Sequence, residues 1–257
     1  MVGIDKIREY LGDYNSNYVI IGGTACNLNL EDAALQGRAT KDIDMIMVCE
    51  AISTDYIRRF WSFIRSGGYR QSQIKESEEG KQCYYRFSEP TDPSFPAYIE
   101  LFSRKPDTIQ IPEDAHLVHI PTEEYLSSFS AILMDDDYYH YAVGHTKEIN
   151  GISVLNKEAI IILKAKAYLN NLFRKQNGQA VHQDDIDKHK KDIYRVSYLL
   201  SDEETFDVSE NIKNDLREFL DKIKVSPINT KAISKYMNLA EISMEELEQL
   251  LINVFRL

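Results

Sequence analysis

Two aspartates, Asp42 and Asp44, stand two residues apart in the stretch Asp42-Ile-Asp-Met-Ile-Met-Val48, whose polar and apolar alternation gives way to an unbroken apolar run. On a strand, residues i and i+2 leave the same face, so this spacing brings two carboxylates together. Like charges held that close repel, and one pKa rises unless a cation sits between them. Mg²⁺ suits such a place: it takes hard oxygen ligands, keeps several waters, and is commonly shared between one or two carboxylates and a substrate phosphate. The plainer reading is an exposed strand face carrying two solvated acids.

Upstream, the apolar run Tyr18-Val-Ile-Ile21 stops at Gly22-Gly23-Thr24. Glycines permit close backbone approach, free N–H groups at a following helix start can hold phosphate oxygens, and Thr24 adds a hydroxyl donor. Alone, a Gly-Gly pair marks an ordinary tight turn. Its meaning here comes from the combination with Asp42 and Asp44. A third carboxylate lies in Tyr98-Ile-Glu-Leu-Phe102, where Ile99 and Leu101 take one face and Glu100 the other. An acid between two aromatics in a strand needs a partner. Metal ligation or a base role would supply one; an edge-strand glutamate facing water is the alternative.

The elements that must position these groups follow from periodicity. A helix is expected over 4–14, a strand over 18–21, a short helix or loop over 24–35, a strand over 42–48, a helix over 54–66, and strands over 82–87 and 97–102. Between 103 and 156 the pattern suggests a strand over 116–120 and a β pair within 138–154 turning at Asn150-Gly151. Helices are then expected over 156–175, 184–200, 207–223, 228–239 and 243–255. The expected architecture is α+β or α/β, a mixed sheet with flanking helices (residues 1–155), followed by a C-terminal helical domain (156–257).

The chain has 257 residues, 43% of them hydrophobic, with 16 Tyr and 10 Phe to build cores. That composition excludes a disordered or fibrous class. No apolar run approaches the roughly 20 residues of a membrane span, and the first residues lack a basic start and apolar core of a secretory signal. No membrane association and a cytoplasmic location are therefore expected. Cys26, Cys49 and Cys83 lack zinc-ligand spacing and read as reduced and mostly buried. His116 and His119 would point to opposite strand faces, and Asp135-Asp136-Asp137 reads as a solvated turn. The net charge of −11 argues against a nucleic-acid partner, yet residues 151–200 carry +4, nine Lys and Arg against five Asp and Glu. On that segment, Asp187 with Lys191 and Lys188 with Asp192 are spaced as i, i+4 pairs.

The order strand, Gly-Gly, Asp-x-Asp on the next strand and an acid on a third resembles the nucleotidyltransferase superfamily with the polymerase-β-like fold. More narrowly, Gly22-Gly23-Thr24-Ala25 with Gly37-Arg38-Ala-Thr40-Lys-Asp42-Ile43-Asp44 resembles the signature of the AbiEii/AbiGii toxin family. Leu163-Lys164-Ala-Lys166-Ala-Tyr168 and Lys188-His-Lys-Lys191-Asp192-Ile-Tyr194 resemble that family's two later helices, so the likeness spans about residues 18–200. The segment between Gly23 and Asp42 is longer than the family pattern, with the extra residues at about 29–36.

The resemblance implies a Mg²⁺-dependent transfer of a nucleoside monophosphate from an NTP to an acceptor hydroxyl. Asp42, Asp44 and Glu100 would be the catalytic and metal-binding acids. Gly22, Gly23, Thr24, Arg38, Thr40, Lys164, Lys191 and Asp192 would bind the nucleotide. It further implies a toxin–antitoxin setting, with tRNA or another RNA as acceptor and an antitoxin protein as partner. Two other functions compete: modification of a small hydroxyl compound, as antibiotic nucleotidyltransferases perform, and a non-catalytic nucleotide-binding relative.

Overall fold

The computed structural model describes residues 2–48, 50–75, 83–103, 118–119 and 135–257. Two compact units emerge, one of Met1–Ala25, Ala39–Met134 and Thr146–Leu155, the other of Cys26–Arg38, Asp135–His145 and Asn156–Leu257. Residue 155 is one point where the chain leaves the first unit. A single cut there does not describe the division, because segments 26–38 and 135–145 cluster with the later helices.

The first unit is an α+β layer structure. Its elements are α1 (Ile4–Leu11), β1 (Tyr18–Ile21), the first turn of α2 (Gly22–Asp32), β2 (Asp42–Met47), α3 (Thr54–Gly67), β3 (Arg70–Lys75), β4 (Cys83–Ser88), β5 (Tyr98–Ser103), β6 (Val118–His119), β7 (Thr146–Ile149) and β8 (Ile152–Leu155). Among the described residues these strands form one mixed eight-stranded sheet in the order β6-β3-β4-β5-β2-β1-β8-β7. The core strand β1 runs antiparallel to β2 and parallel to β8, and β2 runs parallel to β5.

Alternation sorts the strand residues onto two faces. Tyr18, Ile20, Met45, Met47, Ile99, Leu101 and Phe87 share one face by register, and all are buried. This is the face that α3 covers: the Tyr18 and Tyr56 rings stack 6.3 Å apart, and Phe60 and Trp61 meet Phe87 edge-on at 5.8 and 5.9 Å. The Ser53 hydroxyl accepts from Tyr56 N–H to start α3, and Gly68 closes it. The opposite face carries Asp42, Asp44, Glu100 and Arg86.

The hairpin β7–β8 turns at Asn150-Gly151, both with positive φ (51° and 79°), as a type I′ turn requires. The expected strand near Tyr138 is instead helix α4 (Asp136–Gly144). Asp135 caps it by accepting from Asp137 N–H, and Asp136 and Asp137 occupy its first turn, so the acidic run is a helix start rather than a solvated turn. Strand β3 was not expected; its polar sequence is organised by pairing with β4 along six residue pairs. Cys49, Gln82, His116, Leu117 and Ile120 lie outside the described residues.

The second unit contains the rest of α2, then α4, α5 (Lys157–Gln176), α6 (Gln183–Ser197), α7 (Glu210–Val225), α8 (Thr230–Met237) and α9 (Met244–Phe255). Helix α5 is buried almost all round, Ala159 to Ala165 included, which is the pattern of a central core helix. Tyr168 meets Phe219 of α7 edge-on at 5.4 Å. A capping box between Ser243 and Glu246 starts α9. Among the described residues no helix is long and apolar enough to cross a membrane.

Candidate active site

Strand β1 delivers the chain to Gly22, where φ is +69° and α2 begins. Register pairs Ile21 with Asp44, so the Gly22 turn lies beside the Asp44 side chain. A Cβ on Gly22 would overlap Asp44 Oδ2 and lie 2.8 Å from Asp44 Cγ. The glycine is thus demanded twice, by its left-handed backbone and by the carboxylate against it. Exposure falls along β2: Asp42 is exposed, Asp44 half-buried and Ile46 buried. The two carboxylates therefore share a face at the open end of the strand. Gly23 follows Gly22 in the first turn of α2 and is buried.

Thr24 is fully buried, and its hydroxyl donates to the Asp42 carbonyl at 2.7 Å. This bond braces the start of β2. Thr40, exposed, makes a longer 3.4 Å contact with the same carbonyl. Both threonines position the Asp-x-Asp strand through one backbone oxygen.

Glu100 sits directly opposite Asp44 in the β2–β5 register, and Arg86 directly opposite Glu100 in β4–β5. The Arg86 Nε donates to Glu100 Oε1 at 2.9 Å, and Nη2 reaches the same oxygen. This guanidinium is the partner that the interior acid requires, and sequence reading missed it. Among the described residues, no group of three or more His, Cys, Asp or Glu side chains is placed to hold a metal ion. The Glu100 carboxylate, on the same face as Asp44, is engaged by Arg86. The Glu100 side chain is only 12% exposed, so Arg86→Met, which strands that carboxylate, is expected to cost about 2–3 kcal/mol, read from the urea midpoint. Glu100→Gln combined with Arg86→Met should recover part of that loss.

The remaining expected nucleotide-binding residues fall in the second unit. Asp192 of α6 is completely buried, and three cations converge on it. Arg38 grips it with both ends of the fork, Nε to Oδ1 at 3.0 Å and Nη2 to Oδ2 at 3.2 Å. Lys164 Nζ lies 2.8 Å from Oδ2, and Arg195 Nη1 lies 3.1 Å from Oδ1. Burial pushes the Asp192 carboxyl up, but Lys164 and Arg38 outweigh it and hold the group well below the ordinary carboxylate range. Lys164, itself 2% exposed, does not snorkel. The expected i, i+4 pairs are replaced: Lys188 bonds Asp185, Lys190 bonds Asp187, and Asp192 turns inward. Lys191 stays half-exposed on the outer side of α6.

Two further groups adjoin this cluster: Cys26, expected from sequence to be a reduced, buried residue, and His189, which sequence reading missed. Cys26 is buried in α2, and burial, with the Asp192 charge adding, pushes its thiol up to about 12, which keeps it an unreactive core residue. His189 is 2% exposed and close to Asn171, 3.3 Å from Nε2 to Nδ2. Burial, then the charges of Lys164 and Lys188, hold its pKa well below the ordinary value. The fold thus keeps His189 neutral while the unfolded chain protonates. Stability present above about pH 6.5 should fall as pH drops below it, at about 1.4 kcal/mol per unit for this one group. His189→Gln should flatten that slope between about pH 6.5 and 5 in urea titrations.

The donor set fits Mg²⁺ as a two-carboxylate site: Asp42 and Asp44 offer hard oxygens on one face, and Gly22, having no Cβ, lets the Asp44 carboxylate lie against the start of α2. Neither a protein-family model nor a curated protein matches the chain.

Proposed function

We propose that this protein is a Mg²⁺-dependent nucleotidyltransferase of the AbiEii type, moving a nucleoside monophosphate from an NTP to a hydroxyl of an RNA acceptor such as tRNA. The observation that carries the reading is the left-handed Gly22 pressed against Asp44, with Asp42 on the same strand face. It joins a glycine-opened helix start, suited to phosphate, to a carboxylate pair suited to Mg²⁺.

In this reading Asp42 and Asp44 hold the metal, which when bound offsets triphosphate charge and stabilises the departing pyrophosphate. Backbone N–H groups at Gly22 and Gly23 take phosphate oxygens. Thr24 keeps the Asp42 carbonyl fixed, so the carboxylate pair is held before substrate arrives. The acceptor oxygen bonds to the α-phosphorus as the bond to the β-phosphate oxygen breaks, and the hydroxyl proton leaves to water. Catalysis is then positioning and charge stabilisation, with no covalent intermediate on the protein. An antitoxin partner and a cytoplasmic setting belong to the same proposal.

The test is incubation with Mg²⁺ and each α-labelled NTP, with total RNA, with an aminoglycoside and lincosamide panel, or with no acceptor. Label on RNA that Asp44→Asn abolishes is the expected result, a loss of at least about a thousandfold given a transition-state charge stabiliser. Label confined to the drugs would replace the RNA acceptor by a small hydroxyl compound. Tight NTP binding without transfer would leave a nucleotide-binding protein and sink the enzyme.

A further inference from the structure

Residues paired directly across neighbouring strands leave the same face of a sheet, so register carries the Asp42 position outward along one row. Asp42 stands opposite Tyr98 of β5, Tyr98 opposite Ser88 of β4, and Ser88 opposite Arg70 of β3. At the usual strand spacing the row crosses about 14 Å of sheet. All four residues belong to the first unit.

Tyr98 is 41% exposed on this row, whereas its neighbour Ile99, on the face that α3 covers, is completely buried. A lone exposed aromatic needs no explanation by itself; a ring left to water beside the carboxylates of the candidate site does. A planar ligand laid on it would remove that apolar surface from water.

The two sides of β2 have different occupants in the nucleotidyltransferase reading. Gly22 and Gly23 open α2 on the β1 side, where Ile21 pairs with Asp44, and their N–H groups hold the phosphates that depart as pyrophosphate. Attacking and leaving oxygens lie roughly in line. The acceptor oxygen therefore bonds to the α-phosphorus from the opposite side, the bond to the bridging oxygen breaks, pyrophosphate keeps that electron pair, and the hydroxyl proton goes to water. Opposite β1 across β2 is β5, because the sheet runs β4-β5-β2-β1. The acceptor thus reaches the acids over the row that holds Tyr98.

A neutral ring suits that place. Asp42 is exposed and would repel an RNA phosphate brought against it, whereas a nucleobase offers an uncharged π-face. The cation on the row is Arg70, farther out, 79% exposed and 2.8 Å from Glu89. Exposed ion pairs of this kind are weakly held, so the guanidinium can exchange its partner for a phosphate.

We propose that Tyr98 is a stacking platform for a base at the reacting end of a single-stranded RNA acceptor, with Arg70 taking a phosphate farther along the strand. The proposal rests on the nucleotidyltransferase reading for its direction and deepens it: the acceptor enters from β5 and is held there by a ring that accepts any base.

Fluorescence anisotropy of a labelled single-stranded oligoribonucleotide, titrated with the full chain in the absence of NTP, tests it. Tyr98→Thr keeps a strand-favouring residue while removing the ring, and it should weaken RNA binding about tenfold or more. Tyr98→Phe keeps the ring and should bind as wild type does, and NTP affinity should be unchanged in both variants. In labelled transfer, Tyr98→Thr should raise the KM for RNA by the same factor. Arg70→Gln should lower the slope of log affinity against log salt by about 0.7, the share of one phosphate contact on a single strand. Wild-type RNA affinity in Tyr98→Thr, equal losses in Tyr98→Thr and Tyr98→Phe, an NTP affinity that falls with the ring, or a wild-type chain that binds no RNA would each overturn the platform. Transfer of label to RNA with Tyr98→Thr unimpaired would overturn it as well and leave the enzyme standing. Ring-dependent RNA binding without any transfer of label would keep the platform and sink the enzyme.

Discussion

Replacing Asp192 with alanine is expected to destabilise the second unit by about 3–5 kcal/mol, the range for removing one partner from a buried ion cluster. The carboxylate is wholly buried, and the side chains it serves are 3% (Lys164), 12% (Arg195) and 30% (Arg38) exposed. Without it, the three cations that converge there repel one another in a medium that screens them poorly. Two comparisons separate charge from packing. Asp192→Asn keeps the shape and one acceptor oxygen, so it isolates the lost charge. Lys164→Met in the Asp192→Ala background removes a repelling cation and should restore part of the stability. Urea midpoints at neutral pH are the measurement, and an Asp192→Ala midpoint equal to wild type would show that the cluster contributes nothing. The pH dependence carries the same sign. Because the folded pKa is depressed, the Asp192 contribution is present above about pH 4, the ordinary carboxylate value, and is lost as pH falls toward the folded value. The acid limb of the stability curve should therefore be shallower in Asp192→Ala.

Much of this cluster was visible in the sequence once the right period was applied. Ile186, His189, Ile193 and Val196 recur at helical spacing and are all buried, and Asp192 falls on that inward stripe. Reading Lys188 and Asp192 as a surface pair attended to spacing and neglected the face. Segment 26–38 was opaque for another reason. Its joining of the helical unit depends on the Arg38 fork closing on Asp192 across 154 residues of chain, which no local window contains.

The first unit was more legible. The run over 18–21, the alternation over 42–47 and the helix over 54–67 all carry their own stop signals, and observed bounds differ from expected ones by a residue or less. Helix α4 was misread because its Tyr-rich sequence favours strands, although Asp135 as a cap and two first-turn acids marked a helix start. The Arg86–Glu100 partnership needed the register of β4 on β5, and the loop between them hides it. An interior acid announces that it has a partner; alternation alone does not say whether the partner is a metal or a guanidinium.

Gly22→Ala makes the sharpest test of how backbone and chemistry are joined at the candidate site. A non-glycine residue held at φ +69° costs about 1–2 kcal/mol, and forcing a methyl into occupied space adds about 1–3 kcal/mol more. The space is occupied by Asp44, whose Oδ2 the new Cβ would overlap. The strain is paid by the backbone wherever the side chain of residue 44 lies, whereas the overlap vanishes with the carboxylate. In an Asp44→Ala background the cost of Gly22→Ala should therefore shrink to about 1–2 kcal/mol, a coupling of at least about 1 kcal/mol in the double-mutant cycle. Strict additivity would mean that Gly22 serves the turn alone and not the carboxylate. Nucleotidyl transfer gives the second reading of the same pair. If Asp44 is displaced by the methyl, Gly22→Ala should lose activity as deeply as Asp44→Asn under conditions where it remains folded, because a carboxylate moved by about 1 Å no longer holds its charge where the transition state needs it.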